Sequence, residues 1–263
     1  MKFPTTLKLA AAAIGTAALL PTLTFAQAYP TKPVRVVVPF APGGGSDITA
    51  RQVSGKLFEM YKQQFVVDNR GGAAGLIGME MVAKAPPDGY TILMVSGSFS
   101  ATSATHKPAF DPVNNIPGLA EFGITPFVLT IHPSLPPKTT KELIALAKAK
   151  PGQLAYPSSG AGTTPHLAAV LFQAMTNTKM THVAYKGSVA YTIDLVTGRL
   201  EVAFASMANV IPHIKAGRLR VLGTSMDNRD PQFPEAPTIA EAGVPGYDMR
   251  SWYGDRKSTR LNS

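Results

Sequence analysis

The sequence predicts an α/β protein built as two lobes, and three observations carry that expectation. Short apolar runs of strand character alternate with helix-like segments; the alternation occurs in two successive series; and glycine- or serine-rich turns stand where a strand hands over to a helix. In the first series VRVVVPF at 34 to 40 is a strand. A helix pattern follows from Asp47 to about Gln64, with FVV at 65 to 67, a short helix near 75 to 84 and YTILMV at 90 to 95. Ile48, Val53, Leu57, Met60 and Tyr61 recur at helical spacing, which predicts that this stripe packs on a largely parallel sheet.

The second series opens with FVLTIHP at 127 to 133. The helix TKELIALAKA, the strand QLAYPS at 153 to 158, a helix from about Thr164 to Met175, HVAYK, a helix near 190 to 196, LEVAFAS, a helix over about 208 to 216 and RLRVLGTS complete it. Pro86-Pro87 and Pro136-Pro137 mark loops. No internal repeat or low-complexity tract interrupts the pattern.

The ends differ in character from the middle. Lys2 and Lys8 precede an Ala-rich apolar run from Leu9 to Leu20 that ends near Ala26-Gln27-Ala28, so residues 1 to 28 are expected to be a signal peptide cleaved near Ala28. The run is interrupted by Gly15 and Pro21 and is shorter than the ~20 apolar residues of a spanning helix. The chain has no cysteine, hence no disulfide and no lipidated N-terminal cysteine, and a free periplasmic protein is expected. The formal charge of +9 is scattered, without a Lys/Arg run or interleaved aromatics, which argues against a nucleic-acid partner and licenses only a mild attraction for anions.

PFAPGGGSD at 39 to 47 is the strongest motif. Three glycines between a buried strand and a helix start let backbone N–H groups turn toward one point, and a helix N-terminus adds unpaired donors and roughly half a positive charge. A carboxylate could be held there without a cationic side chain; the alternative is an ordinary tight turn capped by Ser46 or Asp47. No GK[ST] and no GxGxxG follows, so it is not a nucleotide loop. PSSGAGTTPH at 157 to 166 repeats the arrangement, with helix capping by Thr163 or Thr164 as the alternative. NRGGAAGLIG at 69 to 78 is a third such turn, which either is structural or approaches a cleft. Facing one another, the first two turns would enclose a ligand between Gly43 to Ser46 and Ser158, Ser159, Thr163 and Thr164.

Catalytic and metal signals are thin. His106, His132, His166, His182 and His213 show no compact metal spacing and no GxSxG is present, so no enzyme activity, metal or cofactor is expected. His166 near Ser159 leaves a Ser/His hydrolase as a weaker alternative. Lys186, after HVAY, either pairs with a ligand carboxylate or is a solvated lysine at a strand end.

PFAPGGGSDITAR, NRGGAAGLIG with APPDGYTIL, SSGAGTTPHLA, THVAYKGS, PHIKAGRLRVL, APTIAEAGVPGY and WYG, in that order, resemble the tripartite tricarboxylate transporter substrate-binding family of Bug-type receptors from about Tyr29 to Gly254. The resemblance implies a type II periplasmic-binding-protein fold with crossing strands near 126 to 133 and 219 to 225. Residues 29 to 125 and 226 to 254 would then form an incomplete first lobe, and 126 to 225 the second. It also implies a carboxylate ligand: a di- or tricarboxylate, an acidic amino acid or an aromatic acid. The implied contacts are Phe40, Ala41, Gly43, Gly44, Gly45, Ser46, Asp47, Ser98, Ser158, Ser159, Gly160, Gly162, Thr163, Thr164, Tyr185 and Ser206. A monomer working with integral membrane transporter subunits is implied, a periplasmic sensor being the alternative.

Two departures from the family pattern stand out. Ala205 occupies a strand position that is often acidic in the family, and from Asp255 the chain turns into DRKSTRLNS. That peptide resembles a translated sequencing adapter, so residues 255 to 263 are expected to be a non-native tail without packing.

Overall fold

The structure is a computed structural model that describes residues 29 to 258. The expected signal peptide and residues 259 to 263 lie outside the described residues. Of an N-terminal unit, Met1–Thr31, only residues 29 to 31 are described, with no helix or strand; the remainder concerns the unit Lys32–Ser263.

Strand β1 (Val34–Val38) pairs in parallel with β2 (Phe65–Asn69) on one side and β3 (Thr91–Ser96) on the other. The unbroken VRVVV run follows from burial on both faces. Val34, Val36 and Val38 pack with Ala50, Ile92 and Met94, while Val37, Leu93 and Val95 pack with Met79, Val82, Phe99 and Ile116. Ala50 belongs to helix α1 (Gly45–Tyr61), Met79 and Val82 to α2 (Leu76–Ala83), and Phe99 to α3 (Ser98–Thr105). The expected contact stripe of α1 is corrected: Met60 is 72% exposed and Tyr61 47%, whereas Ala50 and Ser54 are buried. Small side chains let the helix lie close to the sheet, so its buried face is not its most apolar one. Helix α3, SFSATSAT, carries no apolar period and was not anticipated.

Strand β4 (Gly118–Ile131) is shared between two environments. Its exposed first half pairs antiparallel with β9 (Arg250–Lys257), which inserts between β4 and β3. Its buried second half pairs antiparallel with β7 (Val202–Ser206) and β8 (Arg220–Thr224). The sheet order is β2-β1-β3-β9-β4-β7 with β8 also on β4, and β5 (Ala155–Ser158) with β6 (Thr181–Ala184) forms a separate parallel pair. The expectation of a largely parallel sheet therefore holds around β1 and for β5 with β6, while every pair made by β4 or β9 is antiparallel.

One face of the second half-sheet packs Leu129, Ile131, Val202 and Phe204 against α4 (Thr140–Ala149) and α5 (Thr164–Thr176) through Leu143, Ala147, Ala168, Ala169 and Phe172. The other packs Val128, Ala203 and Ala205 against Tyr191 and Leu195 of α6 (Ser188–Val196) and Met207 and Val210 of α7 (Met207–Lys215). Residues 226 to 249, expected with the first lobe, sit on this second body: Ile239, Val244 and Tyr247 belong to one of its cores and Phe233 and Ala236 to the other. The chain returns to the first body only at β9. Asp255 to Lys257, expected to lie unpacked, continue that strand against β3, and Arg256 stands 4.1 Å over the Phe99 ring. An inserted strand needs only free backbone groups on its neighbours, so polar side chains do not bar it.

The three passages between the bodies meet at Ser225. Its amide donates to Phe127 O at 2.9 Å, its hydroxyl accepts from Phe127 N at 2.8 Å and donates to Met249 O, and its carbonyl accepts from Met249 N at 2.9 Å. Ser225→Ala leaves the Phe127 N–H and the Met249 carbonyl each short of a partner in a fully buried site. It is expected to cost about 1–3 kcal/mol in urea unfolding, whereas Ile193→Ala on the exposed face of α6 is expected to stay within about 0.5 kcal/mol.

Candidate functional site

The strand ends of β1, β3, β5 and β7 lead into turns that surround one cleft, as strand carboxyl ends do in open α/β sheets. Phe40, Gly44, Gly45, Ser46, Ser96 and Ser98 line it from the first body, and Ser159, Pro165, Ser188, Tyr191 and Ser206 from the second. Phe127, Ser251 and Tyr253 come from the crossing segments. Its cavity is about 50 Å³, room for a few waters or a small solute. Among the described residues seven serines and two tyrosines face this space and no ionisable Lys, Arg, His, Asp or Glu does.

The electrostatics come from the helices. The N-termini of α1, α3, α5, α6 and α7 contribute lining residues at or near the first turn, and none has a side-chain cap. By contrast α4, remote from the cleft, is capped: Thr139 accepts from Glu142 N at 3.2 Å and Glu142 accepts from Lys138 N at 2.7 Å. Helix N-termini leave their first amides unpaired and carry roughly half a positive charge; with the first amide of α5, Thr164 N, already held by Ser98 Oγ, the other four around a small polar space favour an anion without any cationic side chain. Burial raises the Tyr191 and Tyr253 phenols above their ordinary pKa, so both remain protonated donors at neutral pH. Tyr253 OH lies 3.2 Å from Ser206 Oγ.

Of the expected site residues, Phe40, Gly44, Gly45, Ser46, Ser98, Ser159 and Ser206 line the cleft. Gly160 and Tyr185 line an adjoining hollow that shares Phe40 and Ser159 with the cleft, and Ala41, Gly43, Asp47, Ser158, Gly162, Thr163 and Thr164 lie outside the lining. Asp47 accepts from Gly43 N at 2.8 Å and Arg51 Nε at 3.0 Å, clamping the glycine turn from beneath. Burial pushes its carboxyl up, but hydrogen bonds from Arg51 and Gly43 and the charge of Arg51 outweigh that and hold it below its ordinary value. A charged carboxylate in the cleft would repel an anion; here it faces away from it. Ser158 Oγ bonds Gly160 and sits 2.7 Å from His182 Nε2, and Thr163 Oγ1 donates to Gly160 O at 2.6 Å, so both shape the second turn. Tyr185 OH donates to Asp194 at 2.6 Å; burial first, then that bond, pushes its pKa up to about 12.

Several residues serve contact between the two bodies. Thr164 Oγ1 lies 3.1 Å from Ser98 Oγ, which also accepts from Thr164 N at 3.1 Å. A methyl on Gly187 would come within 2.8 Å of Ala41 Cβ, one on Gly162 within 2.2 Å of Thr105 Oγ1, and one on Gly44 within 2.7 Å of Ser188 Oγ. These glycines are small because the opposite wall is close.

Ser96, Phe127, Pro165, Ser188, Tyr191, Ser251 and Tyr253 were missed. Ser188 and Tyr253 lie within the motifs THVAYKGS and WYG, and Ser96 directly follows the predicted strand at 90 to 95, a position the strand-end rule singles out. Nothing local marks Tyr191 or Phe127. Ala205 is fully buried in the core against α6 and α7, and its neighbour Ser206 faces the cleft. Among the described residues no His, Cys, Asp and Glu cluster suits a metal ion, and no helix is long and apolar enough to cross a membrane.

This arrangement defines a class, and solved structures share it. An R. palustris protein with adipate aligns with a TM-score of 0.86 at 36% identity, over 89% of this chain and 79% of that one. MatC from Rhodopseudomonas palustris with bound malate aligns with a TM-score of 0.83 at 28% identity, over 88% and 79%. The fold is that of the periplasmic solute-binding proteins. The family model described as tripartite tricarboxylate transporter family receptor matches residues 49–255, and the chain belongs to that family. Protein BugT of Bordetella pertussis (strain Tohama I / ATCC BAA-589 / NCTC 13251) is 35% identical over 231 residues, 87% of this chain and 71% of the relative.

His166 and His182 back the second turn with ring centroids 4.4 Å apart, and Gly162 N donates to His166 Nδ1 at 3.3 Å. Burial lowers the pKa of both, the neighbouring His166 adding to the effect on His182. The unfolded chain, with histidines near 6.5, then binds more protons than the folded one just below that pH. Stability from this pair is complete above about pH 6.5 and is lost as pH falls through the unfolded value toward the lowered folded values. Unfolding midpoints between pH 7.5 and 5 are expected to fall, and His166→Gln with His182→Gln to flatten that slope.

Proposed function

We propose that this protein captures a small carboxylate in the serine-lined cleft and delivers it, from the periplasm, to integral membrane subunits of a tripartite tricarboxylate-type transporter. The observation that carries the reading is the set of four uncapped helix N-termini, those of α1, α3, α6 and α7, around a cleft whose lining, among the described residues, has no cationic side chain. Amides of Gly44 to Ser46 and the hydroxyls of Ser98, Ser159, Ser188 and Ser206 would hold the carboxylate, directly or through ordered water. The adipate and malate of the two structural neighbours support that ligand class.

Residues 32 to 125 with β9 act as one lobe and 126 to 249 as the other. A ligand favours closure by touching both walls at once, adding to contacts such as Ser98 with Thr164 and Ser206 with Tyr253 that already span the gap. Release is of the unchanged solute. No histidine lines the cleft to activate its serines, and the Ser158–His182 pair lies outside the lining.

Thermal or urea unfolding against a panel of carboxylates tests the reading: a ligand at a hundred times its Kd is expected to add about 2.7 kcal/mol. If none of the panel moves the midpoint of a cooperatively folded sample, carboxylate capture is wrong. Gly44→Ala, whose methyl meets Ser188 across the cleft, is expected to weaken carboxylate binding at least about tenfold, near 1.4 kcal/mol, in calorimetric titration. Its ligand-free unfolding midpoint should change little.

A further inference from the structure

The two bodies also meet outside the cleft. Gly44 faces Ser188 across it, and one residue further along each wall a methyl on Gly43 would come within 2.9 Å of Val189 Cγ2. Gly43 and Val189 border a hollow of about 210 Å³, whose other walls are Ile48 of α1, Ile193 of α6, and Asn209 and His213 of α7. Helix α1 lies against α7 along this seam. The hollow is therefore walled by both bodies, like the cleft, but shares no lining residue with it.

Asn209 and His213, four residues apart, share one face of α7. Asn209 Nδ2 and Oδ1 and His213 Nδ1 are buried there and have no hydrogen-bond partner among the described residues. Burial, and after it the charge of Arg218, hold the His213 imidazole below its ordinary pKa, so at neutral pH it is an uncharged polar group rather than half of an ion pair. A polar atom taken out of water without a partner is costly, and such atoms in a folded chain call for a reason.

We propose that Asn209 and His213 act as a brake on closure and thereby set the affinity for carboxylates. Parting of α1 from the α6–α7 pair lets water reach their free atoms, and closing removes that water with no bond in exchange. This rests on the two-lobed capture reading. The closed form then carries a penalty that a ligand touching both walls offsets, and the ligand-free protein stays open. Apparent affinity is the intrinsic affinity of the closed form reduced by the fraction already closed. Removing the penalty raises that fraction and tightens binding although no contact to the ligand changes, and it does so by one factor for every carboxylate.

Calorimetric titration of the full chain with malate and with adipate, together with small-angle scattering of the ligand-free samples, tests the inference in the unaltered protein, Asn209→Leu, His213→Phe and Ala208→Leu. The first two variants keep most of the bulk and remove the free polar atoms. Ala208→Leu adds apolar surface to the same hollow and removes none of them. Asn209→Leu is expected to tighten binding roughly threefold or more, equally for both ligands, and to shrink the ligand-free radius of gyration. His213→Phe is expected to act in the same direction, and it carries the comparison should Asn209→Leu not fold, while Ala208→Leu stays within about twofold of the unaltered protein. A raised urea midpoint for Asn209→Leu and His213→Phe with unchanged affinity and radius places the free atoms inside the second body alone and overturns the inference, as does an equal gain in Ala208→Leu. If the unaltered protein binds no carboxylate, the proposed function fails by itself, and the ligand-free scattering decides the brake: an unchanged radius in both variants overturns it.

Discussion

Sharing β4 between two half-sheets is the constraint from which the rest of the structure follows. Its first half is tied to β9 and its second to β7 and β8. A single strand thus fixes where the two bodies meet and brings the carboxyl ends of β1, β3, β5 and β7 around a common space. Ser225 reinforces the crossing by bonding to Phe127 and Met249 at once. Two bodies each with cores on both sheet faces can keep their internal packing while the crossing segments set the distance between them.

The chemistry of the cleft is a consequence of that geometry. Helices following parallel strands point their N-termini back to the strand ends, so bringing two α/β bodies face to face concentrates unpaired amides at one place. A charged lysine or arginine there would bind an anion more crudely and would hold it when open as well as when closed. Amides and hydroxyls are short-ranged and directional, so most of their attraction is available only when both walls are near. The same requirement explains why Gly44, Gly162 and Gly187 are glycines: side chains at these points would hold the walls apart. Asp47 completes the arrangement from behind, its charge spent on Arg51 and the Gly43 amide rather than on the cleft.

The sequence by itself determined the class of structure and the first wall of the site. VRVVV declared a strand buried on both faces, PFAPGGGSD declared a turn that opens backbone amides at a helix start, and SSGAGTTPH declared a second one; Phe40, Gly44 to Ser46 and Ser159 of those two turns line the cleft. These are local signals, because strand burial, turn conformation and helix initiation are decided within a few residues. Tertiary structure alone decided the rest. The exposed half of β4 and the polar β9 exist only because each offers the other a hydrogen-bonding edge, and residues 226 to 249 joined the second body because its cores had room for Ile239, Val244, Tyr247 and Phe233. Tyr253 reached the cleft by that long-range pairing, Ser188 by the turn from β6 into α6, and Ser158 was turned to support by His182, a partner distant in sequence. Which side chain faces a ligand depends on what stands opposite it, and that is a property of the folded chain.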